Sequence, residues 1–220
     1  KYMIFNNIQI CISQRQVDDN LVDIEIHRKQ FAQENGINFS TVAIPNQVHS
    51  NITQWIDKPG IYQNTDGLIT NNNEIVLSLQ VADCVPVFIY DEVAGVKALI
   101  HSGWRGTKDE IVLNTINQMI KFGCKLKNLQ IHFGPSICQN CYEVEWDVAL
   151  YFDKGSLIQK NTKKWQLDVQ NEIKLQLMSN GILEEQISAS GLCTYENPQC
   201  CSFRRDNERS GRMIIFMGKL

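Results

Sequence analysis

The hydrophobic pattern along the chain alternates between two periods. The stretch "DDNLVDIEIHRKQFAQENG" carries Leu21, Ile24, Arg28 and Phe31 at helical spacing and stops at Gly36. "EIVLSLQVA" and "PVFIY" are short apolar runs rich in β-branched residues, which is strand chemistry. "GVKALI" is a third such run and leads directly into His101. Beyond it, Thr107 followed three residues on by Glu110 has the form of a capping box. The helix such a box would open puts Ile111, Val112, Thr115, Ile116, Met119 and Ile120 on one side, and Gly123 ends it. "LQIHF" reads as a strand running into the turn "GPS", "VQNEIKLQLMSNG" as a second long amphipathic helix, and "QISAS" and "MIIFMG" as late strands. No repeat, low-complexity tract or clear linker interrupts this order. The pattern predicts one domain over residues 1–220, of α/β (mixed α+β) class, with a mixed β-sheet core layered by helices and the strand order left open.

Composition narrows the function. A chain of 220 residues, 43% hydrophobic, is long enough for a packed core. The net charge of −3, without a Lys/Arg cluster, argues against a nucleic-acid partner. No apolar run reaches the ~18 residues of a membrane span. The opening "KYMIFNNIQICI" is interrupted by asparagines and lacks a small-residue cleavage site, so it does not read as a signal peptide; it also does not begin with Met. Eight irregularly spaced cysteines in a chain of this length then point to a reducing, cytoplasmic setting, with thiols free or on metal.

Three residues stand beside apolar runs: His49 in "NQVHSN", Cys84 in "VADCVP" and His101 in "LIHSGW". Two imidazoles and a thiolate make a three-donor zinc set that leaves a fourth position for water or substrate. Zinc there would hold Cys84 as thiolate and could bring a bound water to a pKa of about 7. The competing reading is a small core cysteine with two hydrogen-bonded structural histidines. The segment after His101 favours the metal. Gly103 and Gly106 let the backbone turn tightly and approach a ligand. The following helix offers free N–H groups, and Arg105 adds a guanidinium suited to phosphate or carboxylate. Trp104 as a plain core anchor is the alternative at this corner. Cys138 and Cys141 form a C-x-x-C without a second pair to complete it, Cys200 and Cys201 are adjacent, and His27 and His132 read as structural, His27 on a polar or boundary helix face. "CSFRRDNERSGR" reads as a solvated loop that can also line an anionic pocket.

The same residues carry a family resemblance. "NQVHS", "TDGLIT", "VADCVPV", "HSGWRG", "GPSICQNCYEV", "GLCTY" and "CSFRRDNERSGRM" follow one another over about residues 46–213, and this order resembles the laccase-domain (YfiH-like) proteins, formerly called multicopper polyphenol oxidoreductases. The resemblance implies zinc on His49, Cys84 and His101. It also implies phosphorolysis of purine nucleosides (adenosine, inosine, guanosine, methylthioadenosine) to base and ribose 1-phosphate, together with adenosine deamination. Copper, the older family description, suits the same donors, but four histidines in all are too few for a multicopper oxidase. Departures from the family pattern are Ser50 where Gly is usual, Arg15 in a segment lacking the usual glycines, and Cys138 where Gly is usual.

The expected site therefore has Cys84, Asp83 and Arg105 in catalysis. Gln47, Asp66, Arg105, Glu143, Arg204 and Arg205 would bind nucleoside and phosphate. Arg105 and the helix N-terminus would hold phosphate, and the metal or Asp83 would assist the departing purine. Three alternatives remain open, one of them a copper-binding polyphenol oxidoreductase on the same donors. Cys84 could be a nucleophile beside His101, in a hydrolase or in the peptidoglycan-precursor editing attached to some relatives. A closed, four-donor zinc site would instead make a binding protein, with Cys138 or Cys141 as the fourth donor.

Overall fold

The computed structural model describes residues 2–5, 8–15 and 23–219. Two six-stranded mixed sheets and one small antiparallel sheet organise them. The first sheet runs Tyr2–Phe5, Ile8–Ile12, Met213–Gly218, Val76–Val81, Val42–Pro45, Gly60–Tyr62. The second runs Ile187–Ala189, Leu129–Phe133, Val85–Asp91, Val96–Ser102, Gly67–Thr70, Thr53–Trp55. The small sheet joins Glu143–Glu145, Lys164–Leu167 and Leu157–Gln159.

Side-chain alternation along the strands decides the layering. Ile8, Ile10, Leu77, Leu79, Ile215 and Met217 of the first sheet share a core with Leu68, Phe88, Tyr90 and Leu99 of the second, so the two sheets pack face to face. The alternate residues Cys11, Val76, Ile214 and Phe216 pack against Phe31 and Ala32 of helix Ile24–Glu34. On the far side of the second sheet, Val87, Ile89, Ala98 and Ile100 meet Ile111, Ile116 and Met119 of helix Ile111–Lys121 and Ile173 and Leu177 of helix Val169–Ser179. The result is a four-layer mixed α/β architecture.

The strands and long helices read from the sequence are present, with three corrections. The helix predicted to start at the Thr107–Glu110 box is two helices, Trp104–Lys108 and Ile111–Lys121. Glu110 lies in the left-handed region at φ 57° and breaks the run. The Thr107 hydroxyl does not cap; it is buried against the Ser102 hydroxyl at 2.8 Å. Ile120 sits at the rim, 40% exposed, rather than in the core. His27 is 2% exposed and belongs to the buried face of its helix, not to a polar one. That helix begins at Ile24, capped by the Asp23 carboxylate on Glu25 N–H at 2.7 Å; Leu21 lies outside the described residues.

Two chain crossings prepare the site. Residues 46–52 carry the chain from Val42–Pro45 in the first sheet to Thr53–Trp55 in the second, and residues 82–84 carry it from Val76–Val81 to Val85–Asp91. His49 lies on the first crossing and Cys84 on the second. In the antiparallel pair, Val85 is opposite Ser102 and Pro86 opposite His101. One end of the two-sheet sandwich therefore collects all three residues.

Candidate metal centre

The donor atoms of His49, Cys84 and His101 lie within 4.8 Å of one another. The two imidazole rings meet edge-on, centroids 4.8 Å apart. The backbone carries strain to achieve this. His49 has φ 60° and Asp83, just before Cys84, has φ 84°, both left-handed and non-glycine. Such residues cost on the order of 1–3 kcal/mol and persist where surrounding structure holds them.

Asp66 does much of that holding. Its carboxylate is fully buried, and the contacts it makes are with the chain itself. Oδ1 accepts from His49 N–H at 2.9 Å and contacts His101 Nδ1 at 2.8 Å. Oδ2 accepts from Val48 N–H at 3.2 Å, Ser50 N–H at 2.6 Å and the Ser50 hydroxyl at 2.8 Å. Asp66 thus binds both the His49 crossing and the His101 ring, and Ser50 adds a bond that glycine could not. Burial raises the Asp66 pKa, but the bonds from His101 and Ser50 outweigh it and hold the carboxyl at about 2. With Nδ1 committed to Asp66, His101 has its other ring nitrogen, Nε2, left for Cys84 or a metal, the arrangement that metal-binding histidines use.

Cys84 and His101 are tuned as a pair. Burial alone would raise the thiol; the His101 charge and hydrogen bonds from both histidines bring it down to about 6. Burial alone would lower His101; the Cys84 thiolate and Asp66 lift it to about 9. A preformed thiolate between two imidazoles fits a borderline-soft cation such as zinc, and also fits copper.

The glycines act by proximity. Gly103 and Gly106 need no positive φ. A Cβ on Gly103 would meet Cys84 Sγ at 3.0 Å and His49 Cδ2 at 3.1 Å, and one on Gly106 would meet Ser50 O at 2.9 Å. The "GWRG" corner packs on the two crossings, and the helix it opens is only five residues long.

The remaining expected residues divide into two groups. Arg105 is exposed, its guanidinium stacked 4.3 Å from the Trp104 ring. Arg204 is exposed, 5.0 Å from the Tyr142 ring, and donates to Glu143 O at 2.8 Å. Those two are open to a ligand. Gln47 has both ends of its amide on the Gln80 backbone, at 2.9 Å each. The Arg205 guanidinium is committed to Asp206 and to the carbonyls of Thr194, Tyr195, Asn197 and Cys200. Asp83 accepts from the Thr194 hydroxyl at 2.6 Å and Arg204 N–H at 2.7 Å. Glu143 forms an exposed ion pair with Lys164. Arg15 pairs with Asp206 at 3.2 Å.

Sequence reasoning missed Tyr142. Burial, then the charges of Cys84 and Asp83 against those of Arg204 and Arg105, push its phenol up, so it keeps its proton at neutral pH. The "CYEV" motif pointed at this segment without indicating that the Cys84 and Asp83 charges bear on the Tyr142 phenol.

The family model described as multi-copper polyphenol oxidoreductase laccase matches residues 11–219. The chain is 32% identical to "Purine nucleoside phosphorylase YlmD" of Bacillus subtilis over 92% of its own length and 79% of that protein's. It is 28% identical to "Adenosine deaminase RL5", from an unknown prokaryotic organism, over 94% and 85%. In fold it is similar to the crystal structure of YlmD from Geobacillus stearothermophilus, with a TM-score of 0.90 at 23% identity, covering 97% of this chain and 92% of that one. The ordered motifs and the near full-length match have one reading: the chain belongs to the multi-copper polyphenol oxidoreductase laccase family.

Proposed function

We propose that the chain is a zinc-dependent enzyme that phosphorolyses purine nucleosides (adenosine, inosine, guanosine and methylthioadenosine) and also deaminates adenosine, and that it works in the reducing cytoplasm. The observation that carries this reading is the meeting of His49, Cys84 and His101 as a group of three donors, with Cys138 and Cys141 in a different cluster. Three protein donors leave a coordination position for substrate, whereas structural zinc sites take four. The relatives named purine nucleoside phosphorylase and adenosine deaminase supply the substrate class.

His49, Cys84 and His101 would hold the ion. When bound, it would supply a Lewis acid beside the reacting purine nucleoside. The chain's own residues divide the rest. In phosphorolysis, phosphate attacks the anomeric carbon and negative charge moves onto the leaving purine. Arg105 and Arg204, the exposed guanidiniums, are suited to phosphate. Tyr142 keeps its proton and can donate it as a hydrogen bond to a group gaining negative charge. Asp83 anchors the Arg204 backbone, and Asp66 fixes His49 and His101; we assign both to positioning. Gln47 and Arg205 hold the loops on which they sit, and Glu143 presents its carbonyl to Arg204.

One observation favours a second reading. The donor atoms of Cys84 and His101 lie within 4.8 Å of each other, and each charge favours the other, the pairing used by cysteine hydrolases. Alkylation of the zinc-replete protein, with mass mapping, separates the two. Shielding of Cys84, lost on chelation, supports the metal site. Rapid labelling of Cys84 with zinc retained would overturn it in favour of the thiol nucleophile.

A further inference from the structure

Three cysteines and a glutamate meet apart from the His49–Cys84–His101 group. Cys138 and Cys141 bracket a tight turn, with Cys141 N–H donating to Cys138 O at 3.0 Å, so both sulfurs face one point. The opposing donors come from a segment more than fifty residues away in sequence. Ser136 and Cys193 form a β-bridge, and Thr194 N–H donates to Ser136 O at 3.0 Å. This register puts Cys193 Sγ 3.3 Å from Cys138 N, which donates to it. Glu196 Oε1 lies 3.4 Å from Cys141 Sγ and 3.8 Å from Cys138 Sγ. The donor atoms of all four residues lie within 4.8 Å of one another.

We propose that Cys138, Cys141, Cys193 and Glu196 form a second metal site, closed by four protein donors and structural in role, for a zinc-class divalent cation. Three sulfurs select a borderline-soft or soft ion over calcium or magnesium. Four donors fill a tetrahedral sphere and leave no position for substrate. Burial raises Cys193, but backbone N–H groups of Cys138, Glu196 and Tyr195 bring it below the usual thiol value. It is the thiol closest to its ligand form. Burial and neighbouring groups raise Cys138 and Cys141, which would lose their protons as the ion arrives.

The site has a mechanical consequence. Ile137 N–H donates to Asp83 O at 3.0 Å, the Thr194 hydroxyl donates to the Asp83 carboxylate, and Tyr142 follows Cys141 directly. An ion joining the two loops would therefore fix the wall of the catalytic site without contacting a substrate.

The test is metal stoichiometry on anaerobically purified protein, with cobalt(II) substitution and mass spectrometry of the thiols. Wild type should hold two equivalents, and Cys141→Ser and Cys84→Ala should each lose one. The cobalt equivalent that survives in Cys84→Ala should give the stronger thiolate-to-cobalt absorption. A single equivalent lost in Cys141→Ser but kept in Cys84→Ala would still support this site and would count against the catalytic one. A single equivalent kept in Cys141→Ser and lost in Cys84→Ala would overturn it, as would a disulfide among Cys138, Cys141 and Cys193. Should Cys141→Ser fail to fold, cobalt titration of wild type decides: two spectroscopically distinct equivalents support the site, and one equivalent with a single-thiolate spectrum overturns it.

Discussion

The two donor clusters differ in how the chain builds them. His49, Cys84 and His101 sit on sheet crossings and a strand end, and a buried carboxylate positions two of the three. Cys138, Cys141, Cys193 and Glu196 sit on two loops that hold each other by a β-bridge and by their own donors. The first has three donors on a rigid frame and backbone strain at His49 and Asp83. The second has four donors, and none of them is in the left-handed region. Strain kept by a rigid support marks a place where geometry matters to chemistry. A relaxed set of four donors marks a place where holding the fold is enough.

The sharpest way to break this contrast is to remove Cys84. Cys84→Ala should lose one metal equivalent and reduce nucleoside turnover by about 10²–10³ or more, the scale of losing a preorganised electrostatic group. Its melting curve should stay cooperative. Asp66→Asn comes next. Metal affinity at the three-donor site should fall about 10–100-fold, as expected for a group that orients a ligand. The same variant carries a pH signature in the metal-free protein. Asp66 is held at about 2, below its ordinary 3.8, so its contribution is fully present above pH 3.8 and is lost as pH falls through 2. The gap in stability between wild type and Asp66→Asn should therefore close over that window.

Proton release sharpens the comparison further. Between the Cys84 value of about 6 and the His101 value of about 9, the pair is thiolate and imidazolium. Within this pair, metal binding at neutral pH should expel the His101 proton, and below pH 6 the Cys84 proton as well. Affinity should weaken as pH falls, more steeply below 6. The four-donor cluster, with Cys138 and Cys141 raised, should release about two or more at neutral pH. Calorimetry in buffers of different ionisation enthalpy reads both numbers.

A smaller effect is expected from Gly103→Ala. Its new methyl would crowd Cys84 Sγ and His49 Cδ2. Overpacking of this kind costs about 1–3 kcal/mol. Metal affinity should suffer at the three-donor site alone, measured by competition with a chelator. The smallest effect belongs to Glu143→Gln. Its exposed pair with Lys164 is screened by solvent, and melting temperature should stay within error. A large loss of turnover would restore Glu143 as a substrate contact.

Much of this was legible in the sequence because strand ends are. The apolar runs before His101 and around Cys84 announced strands, and the three candidate donors stood beside such runs. Which sheet each strand joins was not legible, since periodicity reports burial and not partners. The chain changes sheet at 46–52 and at 82–84 without any turn signal that names the destination. The Thr107–Glu110 spacing suggested a cap, but the burial of Thr107 against Ser102 overrode local propensity. Half of the second cluster showed as Cys138-x-x-Cys141. Its other half, Cys193 and Glu196, is brought close only by the Ser136–Cys193 bridge, a tertiary contact no local spacing encodes. Asp66 was expected at the site as a substrate contact; its full burial and its bonds to the His49 crossing and the His101 ring are tertiary contacts that no local spacing encodes.

The most direct measurement is product identification by mass spectrometry for zinc-loaded protein given adenosine, with and without phosphate, beside Cys84→Ala. Adenine and ribose 1-phosphate appearing only with phosphate, and only in wild type, is the predicted result; inosine formed without phosphate would add the deaminase activity. Undiminished turnover in Cys84→Ala, or neither product from wild type, would contradict a nucleoside-processing metal centre at His49, Cys84 and His101.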